Sequence, residues 1–79
     1  MTSNQTADAA NDYYAGFLEG HVGKDKAVTI KTIAGTETNA LVERVSDGVV
    51  TLIKRSNSSD RTHRWHIRID HITAISHED

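Results

Sequence analysis

The chain has 79 residues, no cysteine and a formal net charge of −2. Its size indicates one domain with a thin core, which usually needs extra stabilisation. The lack of cysteine excludes disulfides and cysteine-type zinc sites, which leaves metal binding by histidine and carboxylate or association with a partner subunit. No apolar run approaches the roughly 20 residues of a membrane span and no signal-peptide pattern opens the chain, so we expect a cytoplasmic protein with no membrane partner.

The N-terminal part predicts a tail and a helix. Residues 1–7 are polar and aperiodic, which predicts disorder, and residues 8–79 then form a single domain. A helix is expected at about 8–20, because Tyr14, Phe17 and Leu18 have the spacing of one helical face. A helix this short is marginal alone, so its apolar face must pack against the rest of the domain.

The remainder predicts strands, because apolar and β-branched residues alternate in five segments. Asp47 and Gly48 suit the two-residue turn of a hairpin, and residues 56–60 form a polar loop. One helix followed by five closely spaced strands is typical of a mainly β fold that forms a small, strongly bent antiparallel barrel. The expected strands lie at about 27–33, 38–45, 49–55, 61–69 and 71–76.

Two segments of the sequence resemble the two signatures of the Sm/LSm/Hfq superfamily. They are VTIKTIAGTETNALVERVSDGVVTLI at 28–53 and IRIDHITAI at 67–75. The resemblance implies a homo-oligomeric ring of about five to seven subunits, in which the fourth strand pairs with a neighbour's fifth strand. Cyclic closure of this kind removes exposed strand edges. It also implies that single-stranded RNA is bound by loops around a central pore.

Two loops carry the implied RNA site by position. Recognition of single-stranded RNA requires side chains that stack on its bases and form hydrogen bonds with them. The resemblance assigns these side chains to the two loops. The first loop supplies Asp47, Val49 and Thr51, and the second supplies Arg68, Asp70 and His71.

Several of these positions depart from the family pattern. Val49 stands where a stacking side chain is usual, Thr51 where an Asn is usual, and Ile69 where a Gly is usual. Asp70 stands where the Hfq branch has a Lys, and a carboxylate there repels phosphate. These departures favour an alternative, in which an SH3-like barrel forms an oligomer that binds protein and not RNA.

The charge distribution favours the RNA interpretation. Between Lys54 and Arg68 there are five basic residues and one acid, so this segment carries +4 and the remainder carries −6. A local basic patch can bind a polyanion although the whole chain is acidic, whereas the simpler interpretation is a solvated strand face. Lys54 joins the candidate contacts as a diffuse positive charge.

Metal and enzyme sites are not expected. Of the five histidines, His63 and His66 point to opposite faces of one strand and cannot bind a metal together. No nucleophile motif is present, and a thin barrel offers little volume that excludes water. Trp65 alternates with Ile67, which favours packing over base stacking. We therefore expect a non-catalytic protein without cofactors.

Overall fold

The computed structural model describes residues 5–56 and 61–78 and is mainly β, as the sequence predicts. Its elements in chain order are α1 (Gln5–Glu19), β1 (Val28–Thr32), β2 (Glu37–Ser46), β3 (Val49–Arg55), β4 (Thr62–Arg68), a 3₁₀ turn (Ile69–His71) and β5 (Ile72–His77).

The helix begins earlier than predicted. The sequence predicts a disordered tail at residues 1–7, but residues 5–7 form the first part of α1. Gln5 and Ala7 are good helix formers, and no Gly or Pro lies between them and Tyr14, so the helix extends beyond its apolar face. Residues 1–4 of the predicted tail and 57–60 of the predicted loop lie outside the described residues.

The five strands form one antiparallel sheet in the order β4-β3-β2-β1-β5. β2 divides its pairing, because residues 37–40 pair with β1 and residues 41–46 pair with β3. β4 and β5 lie at the two edges and do not pair with each other, so the sheet is not closed into a barrel within one chain. This arrangement is consistent with an Sm-like or SH3-like fold.

The turn between β2 and β3 is confirmed as a two-residue hairpin connection. Ser46 pairs with Val49 across it, and both turn residues have positive φ, 55° at Asp47 and 76° at Gly48. Such turns match the twist of the flanking strands. The Asp-Gly dipeptide therefore sets the register of the β2–β3 pair.

The core lies between α1 and one face of the sheet. Leu18 is fully buried among strand residues such as Ile30 and Leu52, while Tyr14 and Phe17 pack against the same cluster. The Tyr14 hydroxyl also donates a hydrogen bond to the carbonyl of Thr73 on β5, at 3.2 Å. The predicted apolar face of the helix is thus confirmed, and it fastens α1 to the sheet.

Candidate functional site

The two loops that the family resemblance singles out lie side by side. Val49, the first residue of β3, pairs with Arg68, the last residue of β4. The backbone N–H of Ile69 donates to the carbonyl of Gly48 at 2.9 Å. Because β3 and β4 are antiparallel, the β2–β3 turn and the 3₁₀ turn must meet at the same end of the hairpin.

A groove of about 550 Å³ lies at this junction, and we call it the loop groove. The helix forms its third wall, which sequence reasoning missed. The available signal was spacing: Asn11, Ala15 and Leu18 follow at i, i+4 and i+7, so they share a helix face. The loop groove is lined by Asn11, Asp12, Ala15, Asp47, Gly48, Val49, Arg68, Ile69 and Asp70.

Arg68 and Asp70 form an ion pair at the mouth of the loop groove. The guanidinium donates two hydrogen bonds to the carboxylate, at 3.1 Å and 2.7 Å. The two side chains are 64% and 44% exposed. Exposed pairs of this kind contribute at most about 1 kcal/mol, so the Arg68 guanidinium is free to exchange the carboxylate for another anion or for a base.

The charge of the loop groove is mainly negative. Asp12, Asp47 and Asp70 contribute three carboxylates, and Arg68 contributes one guanidinium. A continuous phosphate backbone would be repelled by this surface, since partly exposed like charges disfavour association. Nucleic acid therefore has one attractive charged contact here, and that contact is shared with Asp70.

The remaining predicted contacts lie away from the loop groove. Thr51 is only 4% exposed, and its hydroxyl lies 3.2 Å from Nδ1 of His66, so it is occupied within the sheet. His71 does not line the loop groove. Its backbone carbonyl accepts a hydrogen bond from the N–H of Ile33, just after β1, at 2.9 Å. Lys54 lies five residues beyond Val49 on β3, a separation of roughly 16 Å at ordinary strand rise.

The basic segment is partly neutralised. Glu43 accepts two hydrogen bonds from the guanidinium of Arg64, at 2.9 Å and 3.2 Å. These bonds, together with the positive charge of Arg64, hold the pKa of the Glu43 carboxyl below its ordinary value. Arg68 is paired with Asp70 in the same way, so among the described residues both Arg64 and Arg68 of this segment have carboxylate partners. The strongly cationic part is therefore shorter than the sequence indicates.

Comparisons with known proteins provide no relative from which the role of these residues can be inferred. No family model matches the chain, and no curated protein or solved structure resembles it significantly. Across residues 5–56 and 61–78, no group of three or more His, Cys, Asp or Glu side chains is placed so that it could hold a metal ion. The one helix in that part of the chain is too short and too polar to cross a membrane.

Proposed function

We propose that this chain is a non-catalytic, Sm-like protein that forms a homo-oligomeric ring of about five to seven subunits and binds single-stranded RNA or other single-stranded nucleic acid through its adjacent loops. The observation that carries the proposal is the pairing of Val49 with Arg68. It brings an apolar side chain and an exposed guanidinium together at the junction of two loops.

The two edge strands support self-association. β4 and β5 have similar lengths, seven and six residues, and each has one neighbour in the sheet. Trp65 and Ile67 on β4 and Ile75 on β5 are half-buried apolar side chains. Pairing of β4 of one copy with β5 of the next satisfies both edges, and repetition of that contact closes a ring.

Arg68 supports nucleic-acid binding. A guanidinium stacks on a base and also forms hydrogen bonds with phosphate, whereas a carboxylate or Val49 does neither. In a ring, each subunit contributes one Arg68 at the same radius, so a single strand meets a repeated contact. Asp70 is paired with the guanidinium, so a nucleic-acid ligand must replace this carboxylate.

A second function is favoured by the carboxylates of the loop groove. Asp12 and Asp47 flank the groove beside Asp70, and this charge suits a basic segment of a protein partner. In that case the chain is an oligomeric protein-interaction module that does not bind RNA. The two functions differ in the sign of the ligand charge.

The test combines solution mass with titration by oligo-U and oligo-A. We expect a mass of several times 8.7 kDa at micromolar concentration, and binding that weakens steeply as salt rises, because phosphate contacts release counterions. A monomer at micromolar concentration contradicts the ring. An assembled protein that binds neither oligonucleotide at low salt contradicts the nucleic-acid function and favours the protein-interaction module.

A further inference from the structure

A second groove, of about 640 Å³, lies at the opposite end of the β3–β4 hairpin, and we call it the hairpin groove. Val50 and Leu52 belong to the core, and strand alternation places Lys54 on the same face beyond them. The core face of the sheet thus continues into this groove. It is lined by Lys54, Arg55, Ser56, Arg61, Thr62, His63 and Trp65.

Two aromatic rings form one wall of the hairpin groove. His63 and Trp65 alternate along β4 and lie opposite Lys54 and Leu52 of β3. Their ring centroids are 4.4 Å apart and their planes are inclined by 36°. Trp65 is half-buried and packs against the core, while His63 is exposed. The core therefore supports the indole from behind, and the two rings lie against each other at a tilt, so the pair offers an aromatic surface to a ligand in the groove.

The charge of the hairpin groove is opposite to that of the loop groove. Lys54, Arg55 and Arg61 are exposed and basic, and no carboxylate lines the groove within the described residues. The groove therefore combines several cations with a supported aromatic surface. An acidic peptide or a free phosphate would use the cations alone and leave the aromatic surface unused.

We infer that the hairpin groove binds single-stranded nucleic acid, with a base stacked on His63 and Trp65 and the flanking phosphates bound by Lys54 and Arg55. Single-strand sites combine aromatic stacking with a cationic groove in this way. The inference adds a second contact to the proposed function. It does not depend on the Arg68 site, which lies at the other end of the hairpin, and it does not require a ring.

The experiment uses the single tryptophan of the chain as a reporter within the groove. Titration of the full-length protein with short oligo-U should quench Trp65 fluorescence, because a stacked base contacts the indole. The double variant Lys54→Ala/Arg55→Ala should weaken binding about tenfold at low salt, because it removes two phosphate contacts. His63→Ala should weaken it about fivefold or more, the effect of one lost stacking surface.

A charge-matched control separates a site from a general attraction. Lys24→Ala/Lys26→Ala removes two exposed cations from the loop before β1 and should leave the affinity nearly unchanged. Equal losses in the two double variants overturn the inference, as does oligo-U binding without a change in Trp65 fluorescence. Competition by poly-glutamate as strong as that by oligo-U, at equal charge, also overturns it, since a polypeptide offers no base.

Arg68→Ala distinguishes this inference from the proposed function. If Arg68→Ala retains binding while Lys54→Ala/Arg55→Ala loses it, the hairpin groove is the site and the loop site is wrong. If the reverse is found, the loop site stands and the inference is overturned. If wild type binds neither oligo-U nor oligo-A at low salt, both are wrong.

Discussion

The carboxylate of Glu43 on β2 accepts two hydrogen bonds from the guanidinium of Arg64 on β4, across the intervening strand β3. Glu43 occupies an irregularity in the β2–β3 ladder, because the pairing with β3 passes from Val42 directly to Arg44. A bulge re-aims the side chain of its extra residue. The irregularity in β2 therefore directs Glu43 toward Arg64, and their ion pair links β2 to β4 across β3.

The first prediction concerns the pH dependence of this pair. The folded-state pKa of Glu43 is below its ordinary value of 4.5. The stability that the ionised Glu43 carboxylate gives to the fold is therefore fully present when the pH is above 4.5, and it is lost as the pH falls through the lowered folded-state pKa. We expect wild type to be slightly more stable than Glu43→Gln at neutral pH and equal to it in strong acid. Urea unfolding at both pH values measures this difference.

The control for that experiment is Arg64→Lys, which keeps the charge and loses the two-pronged geometry. It should reduce the pH-dependent difference between the Glu and Gln forms. Because both side chains are exposed, high salt should reduce it as well. A stability difference between wild type and Glu43→Gln that persists below the folded-state pKa of Glu43 would show that it does not come from the ionised carboxylate.

The second prediction concerns Gly48 in the hairpin turn. A Cβ at this position meets nothing within 4 Å, so a substitution affects only the backbone, whose φ of 76° is unfavourable for an L residue. Gly48→Ala should lower the free energy of unfolding by about 1–2 kcal/mol. Gly16→Ala, also in open space but within α1, should raise it by roughly 0.5–1 kcal/mol. Changes of the same sign would refute this account.

The third prediction concerns the attachment of the helix. Leu18 is fully buried beneath α1, whereas Tyr13 on the same helix is 69% exposed. Leu18→Ala should lower the free energy of unfolding by about 2–5 kcal/mol, because it removes buried atoms and leaves a cavity. Tyr13→Ala should change it by no more than about 0.5 kcal/mol. Similar urea midpoints for the two variants would show that the helix does not contribute to the core.

The fourth prediction concerns the assembly through edge strands. Ala74 is exposed in the middle of β5, and a charge with poor strand propensity there opposes pairing with another chain. Ala74→Asp should lower the mass measured by light scattering while the circular dichroism spectrum is preserved. Ala34→Asp, exposed in the β1–β2 turn, should remain assembled. Loss of assembly in both variants would contradict a specific edge contact.

The fifth prediction concerns the ion pair in the loop groove. Arg68→Ala should weaken oligo-U binding by about 1–3 kcal/mol if its guanidinium contacts a base. Asp70→Asn should strengthen binding, because it removes a competing carboxylate and frees the guanidinium. Asp25→Asn, which removes an exposed carboxylate outside the loop groove, serves as the control. Weaker binding by Asp70→Asn would place the carboxylate among the ligand contacts instead.

The sequence by itself determined the elements whose signals are local. Alternation over four to eight residues predicts a strand, and the positive φ that Asp47 and Gly48 tolerate predicts the hairpin turn. The spacing of Tyr14, Phe17 and Leu18 predicts the buried helix face. Each of these depends on residues that are close in the chain, so the tertiary contacts only confirmed them.

The tertiary structure alone decided which charged side chains meet and how the helix enters the loop groove. Glu43 and Arg64 are 21 residues apart, and nothing local indicates that an irregularity in β2 will direct one toward the other. Asn11 and Asp12 enter the loop groove because α1 packs against the 3₁₀ turn. Strand pairing and helix docking are set by burial of the apolar surface of the whole domain. The partners of an exposed polar side chain are therefore fixed only when the complete fold has formed.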